Sequence, residues 1–274
     1  MGKYKIVFSD LDGTLLGSNG VLSEENANAI KRFKELGIPF VPTTGRALGE
    51  IPKKVLENRD IRYYITSNGT AVYDKADGSF RVNGMTRKEI DFLLSVVSDM
   101  TVLIGLHHGG IAYYHKSGFE NYKYFRMNDY YYSELISLIT LVDGDMIDFA
   151  ASLENIQCFC IFFKYDEEHD RACRLIKESG MFNLAASVKH AIEVTRISAT
   201  KGRAIEDFCE KLGFSISDSI ALGDSKNDIT LLQSAGRSLA VRGSMPELLP
   251  YADEVICSSD EHTAKYVLDN YFTE

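Results

Sequence analysis

The chain has 274 residues, more than the ~100–150 of a typical single domain, so one large or two modest domains are expected, each able to bury a core. Thirty basic side chains against 39 acidic ones give a formal charge of −9, which opposes nonspecific binding to nucleic acid or to an anionic membrane, so an anionic substrate has to meet local positive charge. Five cysteines without a paired CxxC spacing argue against a disulfide framework or a zinc site; with no apolar stretch near ~20 residues and no signal-peptide pattern, the expected location is the cytoplasm.

The first element is a strand ending in Ile6-Val7-Phe8, apolar on successive residues as in a parallel strand covered on both faces. Ser23 is placed to cap a helix running to about residue 36, with Glu24 and Glu25 in its first turn, Gly37 past its end, and Ala29, Ile30, Phe33 and Leu36 on one face. A second strand over 38–42 and a third over 61–66 complete a β-α-β-α-β order and predict one parallel sheet. From 83 to 188 the texture changes to dense tyrosines and strands such as 157–164, and reads as an inserted α+β domain. In that strand Cys158 and Cys160 share a face and are expected to be core thiols. The opening grammar then returns, with helices at 203–212, 228–235 and 261–271 and strands at 219–222, 238–241 and 254–257. The expected fold is therefore α/β: a Rossmann-like parallel-sheet core from 1–82 and 189–274, with an α+β cap inserted at 83–188.

Three strand ends are polar. Asp10-Leu11-Asp12-Gly13-Thr14 follows the first strand, Thr43-Thr44-Gly45-Arg46 the second, and Gly223-Asp224-Ser225-Lys226-Asn227-Asp228 the run Ile220-Ala221-Leu222. Parallel sheets bind ligands beyond the carboxyl ends of their strands, so all three gather at one edge. Carboxylates crowded there raise each other's pKa unless a cation relieves them, and hard oxygen donors suit Mg²⁺, which keeps water and substrate phosphate as its other ligands. Lys201-Gly202, before the helix at 203, adds a cation whose glycine lets a ligand come close. A nucleophile, a metal cage and a positive charge point to phosphoryl transfer. Singly, each motif is an ordinary turn, a solvated cation or a helix start.

Together and in this order, Asp10-Leu11-Asp12-Gly13-Thr14, Thr44-Gly45-Arg46, Lys201-Gly202 and Gly223-Asp224-Ser225-Lys226-Asn227-Asp228 resemble the motifs of the haloacid dehalogenase-like hydrolase superfamily, in particular its Cof-type phosphatases with the large α+β (IIB) cap. The resemblance implies that Asp10 is the nucleophile, forming an aspartyl-phosphate, and that Asp12 protonates the leaving oxygen and then activates water. It implies Mg²⁺ held by Asp10, the Asp12 carbonyl and Asp224 with support from Asp228, and phosphate gripped by Leu11, Thr44, Gly45, Lys201 and Asn227. The substrate implied is a small phosphorylated metabolite such as a sugar phosphate. The same motifs also serve phosphomutases, and a regulator that binds but does not turn over its ligand is the alternative outside enzymes, although binding alone needs no Asp12.

Arg46 is assigned a structural role, and the neighbours His107 and His108 a surface or packing role, since adjacent strand residues face opposite ways. Tyr113, Tyr114 and Tyr130-Tyr131-Tyr132 are candidates for lining a substrate cleft. Where the family carries Asn-Ala after the penultimate core strand and Asp-Gly before the last helix, this chain has Arg242-Gly243-Ser244 and Glu261-His262-Thr263. A Walker-type GxxxxGK[ST] loop is absent.

Overall fold

The computed structural model describes residues 3–185 and 190–272. In chain order the elements are β1 (Ile6–Ser9), α1 (Glu24–Glu35), β2 (Phe40–Pro42), α2 (Lys53–Leu56), β3 (Tyr63–Thr66), β4 (Ala71–Asp74), β5 (Ser79–Val82), α3 (Arg87–Val97), β6 (Val102–His108), β7 (Ile111–His115) and α4 (Lys116–Glu120). There follow α5 (Asp129–Leu135), β8 (Thr140–Val142), α6 (Met146–Ala151), β9 (Cys158–Phe163), α7 (Asp166–Ser179), β10 (Phe182–Ala185), β11 (Ala191–Arg196), α8 (Lys201–Leu212), β12 (Ser219–Gly223), α9 (Ile229–Ser234), β13 (Arg237–Ala240), β14 (Glu254–Val255) and α10 (Thr263–Tyr271). Contacts divide the chain into two compact units, one ending its three stretches at Gly45, at Phe80 and at the C-terminus, the other made of Arg46–Glu50 and Arg81–Ala199.

The first unit is built on a parallel sheet in the order β14-β13-β12-β1-β2. Its middle strands β1 and β12 are buried at every residue, as their unbroken apolar runs require. Ile6, Phe8, Val41 and Ala221 pack with Ile205 and Phe208 of α8 and Leu231 and Leu232 of α9. The Ser23 hydroxyl accepts the Asn26 N–H and starts α1, which buries Ala29, Ile30 and Phe33. Register aligns three strand ends: Ser9 stands beside Pro42 on one side and Leu222 on the other.

The expected third parallel strand is only half realised. β3 touches β2 through the single parallel bridge Thr43–Ile65 and otherwise pairs antiparallel with β4, in a three-stranded sheet β3-β4-β5. Thr43 N–H bonds back to Ser9 and Thr44 N–H bonds forward to Ile65 O. By alternation the preceding donor toward β3 is residue 42, a proline without an N–H, so the ladder stops there.

The second unit is a six-stranded sheet in the order β10-β11-β9-β6-β7-β8, antiparallel except between β7 and β8. One face packs Ile104, Leu106, Phe159, Ile161 and Phe163 against α3, α6 and α7. The other packs Leu103, Ala112, Tyr114, Cys158, Cys160 and Phe162 against Phe119, Met127 and Leu135. Both faces are covered, so β9 is buried throughout and both cysteines are core thiols. This unit runs from Arg81 to Ala199 and includes β11, a strand paired on both sides, whereas the sequence reading placed its limits at 83 and 188; the junction of 188 with 189 lies outside the described residues.

The tyrosines are packing residues here. Tyr114 is fully buried with its ring centroid 5.3 Å from that of Phe119, Tyr113 lies 5.3 Å from Phe149, Tyr131 lies 5.6 Å from Phe162, and Tyr132 stacks on Tyr122 at 4.0 Å. The Tyr130 side chain lies outside the described residues. The two histidines part as strand geometry demands. Buried His107 sets Nε2 3.4 Å from Glu50 Oε2 and 3.6 Å from Cys160 Sγ, and Glu50 Oε2 also accepts the Ala47 N–H at 2.7 Å. Arg46 donates from Nη1 to Glu50 O at 2.9 Å. Among the described residues no helix is long and apolar enough to cross a membrane.

Candidate active site

The carboxyl edge of the parallel sheet carries the predicted residues. Asp10 leaves β1 with its N–H on Leu222 O of β12 at 3.0 Å, which anchors it between the two strands. A tight turn over Leu11–Leu15 follows, with Leu11 and Leu15 buried and Asp12 exposed. Leu11 therefore has only its backbone to offer a ligand. Gly13 takes φ +74°, and a Cβ on it would stand 2.7 Å from Asp224 Oδ2, so both the turn and the approach of Asp224 need a glycine. Beside it the Thr14 hydroxyl donates to Asp224 Oδ1 at 2.8 Å, a role the sequence reading did not give Thr14.

Lys201 is the centre of the cluster. It is the first residue of α8, capped by Thr200, rather than a loop residue ahead of the helix. Its ammonium is fully buried and donates to Asp10 Oδ1 and Asp228 Oδ1, both at 2.6 Å. The other oxygen of Asp228 accepts the backbone N–H groups of Asp224 and Ser225 at 3.1 Å, so Asp228 is committed on both sides and braces the loop. Gly202 serves packing: a Cβ there would lie 2.3 Å from Thr230 O, so it lets α8 approach α9 and not a ligand, correcting the expectation from sequence.

One oxygen each from Asp10, Asp224 and Asp228 lies within 4.8 Å of the others; the Asp12 side chain is outside this set. Three carboxylates face one ammonium, and the titration follows from that excess. Burial lifts Asp10 well above the usual carboxylate range; Lys201 opposes it, while Asp228, Asp224 and Asp12 reinforce it. Asp224 is pushed up to about 6, by burial and then Asp228, against the Thr14 hydrogen bond and Lys201. Burial pulls Lys201 down, but Asp10 and Asp228 outweigh it and hold the ammonium above its ordinary value, so it stays charged. The remaining oxygens of Asp10 and Asp224 accept no hydrogen bond from the described residues. An all-oxygen donor set with surplus negative charge fits a hard divalent cation such as Mg²⁺.

On the other side, Thr44 is buried, donates its N–H to Ile65 O at 2.9 Å and accepts the Asn68 N–H at 3.0 Å. Asn227 Nδ2 donates to Asn68 Oδ1 at 3.1 Å, and a Cβ on Gly45 would stand 3.0 Å from the same oxygen. Thr44, Gly45 and Asn227 are thus gathered around Asn68.

A family model described as haloacid dehalogenase-like hydrolase matches residues 7–268. The chain belongs to that family. It is 24% identical over 287 residues to the phosphatase YwpJ of Bacillus subtilis strain 168, covering 96% of this chain and 98% of the relative. With the 5-amino-6-(5-phospho-D-ribitylamino)uracil phosphatase YwtE of the same strain it shares 28% identity, covering 97% of each. Among solved structures, a sugar phosphatase of haloacid dehalogenase subclass IIB superposes with a TM-score of 0.80 at 18% identity, covering 98% of this chain and 99% of that one, and shares its fold.

Within this haloacid dehalogenase-like hydrolase, sequence reasoning missed Asn68. The signal was available: Ser67-Asn68-Gly69 directly follows β3 and is another polar strand end at the same edge.

Proposed function

We propose that the protein is a Mg²⁺-dependent phosphomonoesterase acting on small phosphorylated metabolites, with Asp10 as nucleophile. The unit of Arg46–Glu50 and Arg81–Ala199 is the inserted cap, and the other unit is the catalytic core. The observation that carries the reading is the buried Lys201 ammonium clasped between Asp10 and Asp228, with Asp224 completing a three-carboxylate cluster at the carboxyl edge of the sheet. A structural ion pair balances charge; this cluster keeps an excess of carboxylate and leaves an Asp10 oxygen unengaged.

In the reaction, Asp10 attacks phosphorus in line as the bond to the leaving oxygen breaks, and Asp12 on its exposed turn gives that oxygen a proton. Asp12 then takes a proton from water, whose oxygen attacks phosphorus and releases phosphate and the Asp10 carboxylate. Asp10, the Asp12 carbonyl and Asp224 would hold Mg²⁺, which would supply positive charge between nucleophile and phosphate. Asp228 holds the Asp224 loop, and Lys201 keeps Asp10 oriented and adds positive charge at the phosphate. The Leu11 and Gly45 amides, the Thr44 hydroxyl and the Asn227 amide grip the phosphoryl oxygens. The substrates named for the relatives, a ribitylaminouracil phosphate and a sugar phosphate, support a small polyol-like leaving group. All five cysteines are free thiols, which fits work in the reducing cytoplasm.

The test is phosphate release from a panel of metabolite phosphomonoesters with and without Mg²⁺, with Asp10→Asn as the blank. Metal-dependent release that vanishes in the variant supports the mechanism. Isomerisation of a hexose phosphate without free phosphate indicates a mutase, and ligand binding without turnover a regulator; either refutes the reading.

A further inference from the structure

Asn68 lies in none of the four motifs quoted above, yet it meets Thr44, the Gly45 position and Asn227 of the phosphate grip. It is 6% exposed and left-handed, φ 56° and ψ 33°, a conformation asparagine adopts more readily than most residues. Its N–H donates to Thr44 O at 3.0 Å, and its Oδ1 receives the Asn227 amide at 3.1 Å and lies 3.0 Å from where a Cβ on residue 45 would stand, a tight approach.

The direction of these hydrogen bonds follows from their origin. The Asp228 N–H is taken by Ser225 O at 3.0 Å, and the Ser225 hydroxyl gives its proton to Asn227 Oδ1 at 2.6 Å. With its oxygen pinned, Asn227 turns Nδ2 toward Asn68 Oδ1, which can only accept. One amide proton of Asn227 is spent on Asn68, and the second is fixed in direction by the first. Ser225 and Asn68 hold the two ends of one amide, which a solvated surface asparagine does not require.

We propose that Asn68 is a positioning residue of the phosphate site: its side chain fixes the donor direction of Asn227, while its main-chain N–H, which every Asn68 variant keeps, holds the Thr44-Gly45 turn. The inference rests on the phosphate-binding reading above.

The test uses the full chain with Mg²⁺, p-nitrophenyl phosphate as substrate and inorganic phosphate as competing product, in Asn68→Gly, Asn227→Ala and the double variant. Glycine keeps the positive φ without strain, so Asn68→Gly removes the amide and not the turn; its melting temperature checks the fold. KM and the phosphate inhibition constant rise about tenfold or more, as for a misaligned hydrogen bond to a charged group, while kcat falls by less. The double variant is worse than Asn227→Ala by no more than about twofold, because the residues act as a unit. Asn68→Ser, too short to reach Asn227, carries the same expectation and guards against a folding defect in the first variant. Unchanged KM and inhibition in both Asn68 variants, or losses that multiply in the double variant, overturn the proposal. If instead wild type releases no phosphate, or Asp10→Asn matches it, the functional reading itself falls.

Discussion

Replacing Lys201 by methionine removes the charge and keeps the length of the side chain. The ammonium sits at the first residue of α8, where the helix dipole disfavours a cation, so its place there is due to Asp10 and Asp228 at 2.6 Å. Without it two buried carboxylates lose the one cation that pairs with them among the described residues, and breaking a buried pair in this way costs about 3–5 kcal/mol. For a unit of this size that is roughly 10 °C in melting temperature. The assay is thermal melting with EDTA at pH 8 and at pH 5. Asp10 is already raised by burial, and losing Lys201 raises it further. A carboxylate whose folded pKa exceeds its unfolded one destabilises the fold above that pKa and relieves it on protonation. The deficit of Lys201→Met is therefore largest at pH 8 and shrinks at pH 5. A deficit under about 1 kcal/mol, or one equal at both pH values, would refute this account of the cluster.

Asp12→Asn slows both chemical steps, and if water activation suffers more, aspartyl-phosphate accumulates and is visible by mass spectrometry of the quenched protein; wild-type turnover would contradict the acid–base role. With Asp224 at about 6 in the metal-free protein, protons compete with Mg²⁺ in acid. Calorimetric Mg²⁺ affinity falls as the pH drops through about 6, with the raised Asp10 carboxyl adding to the loss, and a flat profile from pH 7 to 5 would remove Asp224 from the metal site. His107 is pushed up to about 9: burial pulls it down, and Cys160 and Glu50 outweigh it. A raised histidine stabilises fully below its unfolded pKa near 6.5 and loses that contribution as pH rises through about 9, here about 3 kcal/mol. Wild-type melting should therefore drop from pH 6 to 10 more steeply than that of Glu50→Gln, and parallel curves would show that the pair does not titrate as described.

The parallel core and the polar residues at its carboxyl edge were legible because both are written locally. An unbroken apolar run such as Ile6-Val7-Phe8 admits few alternatives to a buried strand, and the polar residues that follow it can only lie at its carboxyl end. Ser23, Glu24 and Gly37 bounded α1 for the same reason. The β3 pairing was misjudged because alternation of N–H directions, not apolar content, decides which edge a proline spoils. Residues 189–199 were assigned to the core, while β11 lies between β9 and β10 in the other sheet. Strand propensity carries no information about the partner.

The sequence alone determined the family, the α/β class and the chemical inventory of the site, since each rests on residue type, short spacing and order along the chain. The tertiary structure decided who meets whom. Lys201 finds Asp10 across 191 residues and Asn227 finds Asn68 across 159. Gly202 makes room for a helix, and His107 rather than His108 pairs with Glu50. Those pairings depend on loop closure and packing in three dimensions, where a hydrogen-bond partner is chosen by distance and desolvation and leaves no local trace in the chain.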